Sequence, residues 1–165
     1  MNKKVLLLMI ASTVLVLTGA ILMLDSNSES TPSSTENAIA YTLDPTSFDW
    51  GEVNYDDPNK ATKIFKIKNK GSDVLKFFNI RTSCHCTVAR MSIGGVESQN
   101  FGMSGVSSWV GEVGPGKEAD LIVVFDQKFH GPAGLGPVSR FVSVETNDKN
   151  TPKLTFTLTG NVVKK

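Results

Sequence analysis

The sequence is poor in cysteine: its 165 residues include two, Cys84 and Cys86, with a single residue between them. Two cysteines exclude the disulfide-dense scaffold of small secreted domains, so the fold must rest on an apolar core. Net charge is lacking too. The formal value of +1 leaves no global field to recruit nucleic acid or an acidic surface, and no nucleic-acid partner is expected. Catalytic signatures are also missing. There is no phosphate-binding glycine loop, no Gly-x-Ser-x-Gly, no His-Glu-x-x-His and no carboxylate pair at a telling spacing. Asp56 and Asp57, just before Pro58, read as turn formers. The chain is therefore expected not to be an enzyme and, the cysteine pair aside, to carry no cofactor.

What is present first is a long apolar run. Lys3 and Lys4 precede residues 5–24, which are 20 uncharged positions rich in Leu, Val, Ile, Met and Ala. As a helix the run would span about 30 Å, the thickness of a bilayer's hydrocarbon core. The two lysines stay cytoplasmic under the positive-inside rule, which puts the rest of the chain outside, in the periplasm or the extracellular space. Residues 1–24 are read as a retained signal anchor, because the run is long and Thr18-Gly19-Ala20 is no small-x-small cleavage site. Cleavage would instead make the protein secreted. No cysteine follows the run, which excludes a lipoprotein anchor. Residues 25–40 begin with a Ser/Thr-rich stretch and are expected to be a flexible linker.

Residues 41–165 read as an all-β domain. In Lys153-Leu154-Thr155-Phe156-Thr157-Leu158-Thr159 the apolar side chains recur with period two, which gives one dry face and one wet face. The same alternation groups Ala61, Phe65 and Ile67 against Lys66 and Lys68. It also groups Leu75 with Phe77, Leu121 with Val123 and Phe125, and Val138 with Val142 and Val144. Pro115-Gly116 predicts a type II turn, and Asn69-Lys70-Gly71 a turn using residues that tolerate positive φ. About seven strands at this spacing predict an antiparallel β-sandwich.

Several motifs occur in a fixed order: Phe48-Asp49-Trp50-Gly51-Glu52-Val53, Phe65-Lys66-Ile67-Lys68-Asn69-Lys70-Gly71, Ser83-Cys84-His85-Cys86-Thr87, Pro115-Gly116-Lys117, Val124-Phe125-Asp126 and Thr146-Asn147-Asp148. Together they resemble the DUF1573 family of immunoglobulin-like bacterial domains, over nearly all of residues 48–162. The resemblance implies an extracytoplasmic immunoglobulin-like sandwich with no established activity. Two features depart from the family pattern. His85 stands where a glycine usually separates the cysteines, and the segments 91–114 and 130–137 are longer than usual.

The Cys84-His85-Cys86 motif admits three readings. It can be structural, as two small buried side chains or one strained bridge at a strand end. It can be a soft-metal site for copper or zinc, with Cys84 and Cys86 joined by His85 or His130. It can be a thiol-redox pair, although the helix N-terminus and C-x-x-C spacing common in such pairs are not visible. If one strand lies between Gly94 and Gly114, simple alternation brings His130 to the same end of the sandwich as Cys84; an extra strand would reverse that. Met91 and Met103 are further soft donors, though methionine more often fills gaps.

Two surface features complete the reading. The glycine-rich segment 94–116 carries Val96, Phe101, Met103, Val106, Trp109 and Val110. It either folds back over the core or forms an interaction loop through Phe101, Met103 and Trp109. Lys60, Lys63, Lys66, Lys68, Lys70 and Lys76 cluster in adjacent segments. They are read as edge-protecting residues rather than as a lipid or cell-wall contact. The first functional expectation is thus a membrane-anchored module that contacts another envelope protein, and the alternative is the metal or redox site.

Overall fold

The computed structural model describes residues 3–5, 9, 11–15, 31–105 and 107–165. The chain divides into two units, 1–31 and 32–165. In the first, residues 3–5, 9 and 11–15 are helical. Among the described residues no helix is long and apolar enough to cross a membrane. Most of the expected anchor, residues 25–30 of the linker, and Val106 lie outside the described residues.

The second unit is a two-sheet β-sandwich, in agreement with the all-β expectation. Its strands are β1 (Ala40–Thr42), β2 (Ser47–Asn54), β3 (Ala61–Asn69), β4 (Leu75–Thr82), β5 (Thr87–Ile93), β6 (Val96–Glu97), β7 (Gly111–Val113), β8 (Glu118–Phe125), β9 (Gly136–Thr146) and β10 (Lys153–Val163). One sheet has the order β1-β3-β8-β5-β6 and the other β2-β10-β9-β4-β7. The count exceeds the expected seven because β1, β6 and β7 are two- or three-residue strands. Segments that short show no readable period.

One pairing also departs from the antiparallel expectation: β2 runs parallel to β10. The cause lies between β1 and β2. Pro45, which has no N–H to donate, interrupts the extended chain. Asp44 meanwhile caps the first sheet by accepting the Lys66 N–H through Oδ2 at 2.9 Å. The chain keeps its direction but changes sheet, so β2 reaches the second sheet running the same way as β10.

The period-two pattern was decisive for the interior. Phe65, Ile67, Leu75, Phe77, Leu121, Val123, Val142, Val144, Phe156 and Leu158 are all fully buried. The Phe65 and Phe156 rings meet across the two sheets at 4.6 Å. In β2 the pattern breaks, because Phe48 and Trp50 turn inward and then Val53 does. Gly51, with φ of +65°, makes the bulge that shifts the phase, and β10 registers the slip between Thr159 and Asn161.

The family-like motifs at the other end of the sandwich are buried polar staples. Asn69 is fully buried and donates through Nδ2 to the carbonyls of Asp73 (2.7 Å) and Val113 (2.8 Å). Asn147 accepts the Lys76 N–H at 2.7 Å and donates to the Val74 carbonyl at 3.0 Å. Asp148 accepts the Ala40 N–H at 2.9 Å and the Asn150 N–H at 2.8 Å. Each satisfies backbone groups that the ladders leave orphaned, which a buried turn requires.

This staple also revises the linker. Composition groups residues 25–40 together, yet Thr35 donates its N–H to the Asn147 carbonyl at 2.8 Å and Ala38 is fully buried. The docked chain passes so close to Gly71 that a Cβ there would lie 1.9 Å from the Asn37 carbonyl oxygen. Gly71 is therefore needed for close approach, not for the positive φ expected of that turn. The Pro115-Gly116 turn has the expected form, with Gly116 at φ +72° and the Lys117 N–H donating to the Gly114 carbonyl at 3.1 Å.

Candidate functional site

The connection between β4 and β5 carries the cysteines. A tight turn places Cys84 and Cys86 with their Cα atoms 5.2 Å apart, and they form a disulfide. An extended strand would hold residues two apart at about 6.5–7 Å, so the turn, not the strand, makes bridging geometry available. Thr82 supports it, donating its hydroxyl hydrogen toward the carbonyls of Thr87 (2.9 Å) and Cys84 (3.1 Å). Cys86 is buried among Val53, Phe125 and Val162, while Cys84 is half-exposed. The bridge thus has one covered and one accessible sulfur.

His130 reaches the pair from the loop after β8. Its Nε2 lies 3.4 Å from Cys84 Sγ. The loop is held by Asp126, whose Oδ1 accepts the Lys128 N–H at 3.0 Å and whose other oxygen pairs with Lys60 at 2.8 Å. The hydrogen-bonded Lys60 holds the Asp126 carboxyl below its usual range, opposed by partial burial. Phe129 stands edge-on to the His130 ring at 5.0 Å and is itself exposed. Cys84, Cys86 and His130 bring their donor atoms within 4.8 Å of one another. This is a donor set of two sulfurs and one imidazole that could hold a soft metal once the bridge is reduced. His85 is exposed and stands outside that cluster.

The proximity of His130 depends on the long segment before β8. After β5 the chain turns back through β6 and the bridge between Phe101 and Ala89, then leaves again along β7. The two additional traverses cancel in direction. β8 therefore still ends beside Cys86, where the Asp126 N–H donates to the Cys86 carbonyl at 2.8 Å.

Arg140 escaped the sequence reading. Its Nε donates to Cys86 Sγ at 3.0 Å, and its guanidinium carbon lies 5.4 Å from the centre of the Phe125 ring. Burial lowers its affinity for the proton somewhat, although a guanidinium stays cationic at ordinary pH. The signal was available: Arg140 shares the phase of Val138, Val142 and Val144, so a charged side chain sits on the inward side of a strand.

The expected interaction loop is largely core. Phe101 is buried and packs on Trp109 at 5.2 Å, and Trp109 packs in turn on the main core. Phe101 is therefore a core residue and not an exposed contact, because the bridge to Ala89 draws it over the open edge of β5. Met103 remains exposed, and Met91 is fully buried and fills the interior. The clustered lysines have local partners: Lys60 with Asp126, Lys66 with Asp120, Lys68 with Glu118 and Lys76 with Glu112. Lys63 lies over Phe48 and Lys70 over Tyr41.

The glycine bulge of β2, the Asn69 staple with its tight Gly71, and the cysteine turn occur in the order that the motif resemblance implied. Residues 41–100 match the DUF1573 family model. That family is described as a protein of unknown function. The DUF1573 match runs from β1 through β6 and includes both cysteines. It ends before His130, Arg140 and the Thr146-Asn147-Asp148 staple, so it is shorter than the span of the motifs. No curated protein matches the chain. Among solved structures, a protein of unknown function from Porphyromonas gingivalis W83 superposes with a TM-score of 0.57 at 17% identity, covering 80% of this chain and 51% of that one. The chain thus spans about half the length of that protein, and at such identity the likeness is one of fold. The ASH/PapD-like domain 7 of human CEP192 gives a TM-score of 0.46 at 14% identity, covering 82% of this chain and 93% of that one. The YadV chaperone gives 0.44 at 8% identity, covering 76% and 52%.

Proposed function

We propose that this DUF1573-type sandwich is a non-enzymatic module held at the outer face of a membrane by its N-terminal apolar run, and that it contacts another envelope protein through the end carrying Cys84 and Cys86. One observation supports the polarity of this arrangement. The chain joins the sandwich at residues 35–40, stapled to Asn147 and Asp148, whereas the cysteines lie at the other end. Along β9, Arg140 beside Cys86 is separated from Thr146 by roughly 20 Å of strand. The point where the chain enters the sandwich and the cysteine turn thus lie at opposite ends of it, so the entering chain leaves the second end open to a partner. That second end also exposes aromatic surface: Phe129 is 53% exposed beside His130, and Phe141, 46% exposed, exchanges backbone and hydroxyl hydrogen bonds with Ser83. Exposed aromatics of this kind are common anchors of protein contacts.

The test is site-specific photo-crosslinking in the native membrane. A photoreactive side chain at Phe129 or Phe141 is expected to give one discrete adduct with an exported protein, and the same group at Lys149 none. Equal labelling from Lys149 would remove the polarity. Release of the full chain into the supernatant by an alkaline wash of the membranes would remove the tether.

A further inference from the structure

We infer that the reduced form of this protein binds one copper(I) ion through Cys84 Sγ, Cys86 Sγ and His130 Nε2, with the disulfide acting as the closed state of the site. The inference is separate from the tether, because a cleaved, secreted form would carry the same residues.

Geometry is the first argument. Metal–sulfur and metal–nitrogen bonds of about 2.3 Å and 2.0 Å place the ligand atoms of a trigonal site roughly 3.7–4 Å apart. His130 Nε2 already lies 3.4 Å from Cys84 Sγ, and all three donor atoms fall within 4.8 Å of one another. The Cα atoms of Cys84 and Cys86 stand 5.2 Å apart on one turn, a spacing from which side-chain rotation can hold two sulfurs either bridged or about 4 Å apart. Neither cysteine has to leave its place in the fold.

Charge is the second. Two thiolates and a neutral imidazole around copper(I) carry a net charge of −1; around zinc(II) they carry none. Arg140 donates to Cys86 Sγ at 3.0 Å, so a fixed cation faces the sulfur that would carry the excess negative charge. It favours the monovalent complex more than the divalent one, whose ligands already neutralise the metal. The donor set points the same way. Among the described residues the cluster holds three donors, two of them sulfur, which suits trigonal copper(I) and falls short of the four-coordinate arrangement that structural zinc prefers. The third argument is shielding: Cys86 is 2% exposed, which protects an oxidisable metal–thiolate bond.

The chemistry balances with a dithiol reductant. Its two S–H groups deliver two electrons and two protons. The Cys84–Cys86 bond breaks to give two thiols, and the reductant leaves as its own disulfide. Copper(I) then displaces the two thiol protons to solvent as two copper–sulfur bonds form. His130 adds the Nε2 lone pair, its proton residing on Nδ1, and the metal keeps its oxidation state.

The experiment uses the full chain in detergent, reduced and kept anaerobic, with copper(I) supplied from a chromophoric chelator that competes for it. One ion per chain is expected. His130→Ala should bind at least about tenfold more weakly, whereas His85→Ala should bind as the wild type does. Arg140→Gln should weaken copper(I) binding by a larger factor than zinc(II) binding. Far-UV circular dichroism of each variant shows that the fold persists. X-ray absorption of the loaded protein should show two sulfurs and one nitrogen. The inference fails if the reduced chain takes up no stoichiometric copper(I), if His130→Ala binds as tightly as wild type, if zinc(II) is preferred, or if the oxidised protein binds equally well.

Discussion

Arg140 donates from Nε to Cys86 Sγ at 3.0 Å while its guanidinium carbon lies 5.4 Å from the centre of the Phe125 ring. A cation is thus held between a sulfur and an aromatic face at the base of the sandwich, with its Nη1 spent on the Ser139 carbonyl at 2.8 Å. Replacing it with methionine keeps much of the volume and removes these interactions. Arg140→Met is expected to lower stability by about 1–2 kcal/mol, and Arg140→Lys should recover only part of this because an ammonium lacks the planar fork. Urea denaturation of the oxidised protein measures both. Equal stability of all three proteins would mean that the contacts contribute nothing.

The bridge itself should matter little to the fold. It links residues at a sequence separation of 2, and closing so short a loop removes little entropy from the unfolded chain, about 1.6 kcal/mol. Adding the lost burial of Cys86, the Cys84→Ala, Cys86→Ala double variant should be destabilised by about 2–3 kcal/mol and remain folded. A variant found unfolded at room temperature would show that the apolar core alone does not hold the sandwich.

Two glycines should respond differently to alanine. Gly116 has φ of +72° and open space around it, so Gly116→Ala meets only backbone strain, about 1–2 kcal/mol. Gly71 has the Asn37 carbonyl 1.9 Å from where a Cβ would stand. Gly71→Ala must push residues 35–40 off the sheet, and it should cost more than Gly116→Ala. It should also raise hydrogen exchange at the Ala40 and Ser72 amides, which bond to Asp148 and Asn37. Unchanged protection at those amides would sink this account of Gly71.

Acid should weaken the His130 loop. The Asp126 carboxyl is held below its unfolded value, chiefly by its hydrogen bond to Lys60. A depressed carboxylate contributes stability that is present above the unfolded value and lost as pH falls through the folded one. Urea midpoints should therefore drop on acidification below the usual carboxylate range. The drop should be smaller in Asp126→Asn, which lacks the titrating group. If both proteins follow the same acid profile, Asp126 plays no part.

The legible portion of the molecule was the portion with a period. Leu154, Phe156 and Leu158 alternate with threonines, and all three are buried. The same reasoning located the inward faces of β3, β8 and β9. It failed where the backbone shifts phase. Gly51 and Asn79, at φ +65° and +46°, make bulges in β2 and β4 that bring Val53 and Ile80 inward against the simple alternation. It also failed on short pieces, and so missed β1, β6 and β7. Asn69 and Asn147 read as turn residues, which they are, but sequence cannot tell a solvated asparagine from one that is buried and satisfied by partners far along the chain.

By itself the sequence determined that the domain is a β-sandwich, because alternating side chains can bury one face only when extended segments pair. It determined that the fold rests on apolar contacts, since two cysteines one residue apart can tie almost nothing together. The tertiary structure decided which chemistry meets at the cysteine turn. His130 and Arg140 are 46 and 54 residues away from the sulfurs they approach. Their arrival depends on the pairing of β5 with β8 and of β4 with β9, and on a long segment whose extra traverses cancel. Each of these is a global property of the chain's path, and no local periodicity records it.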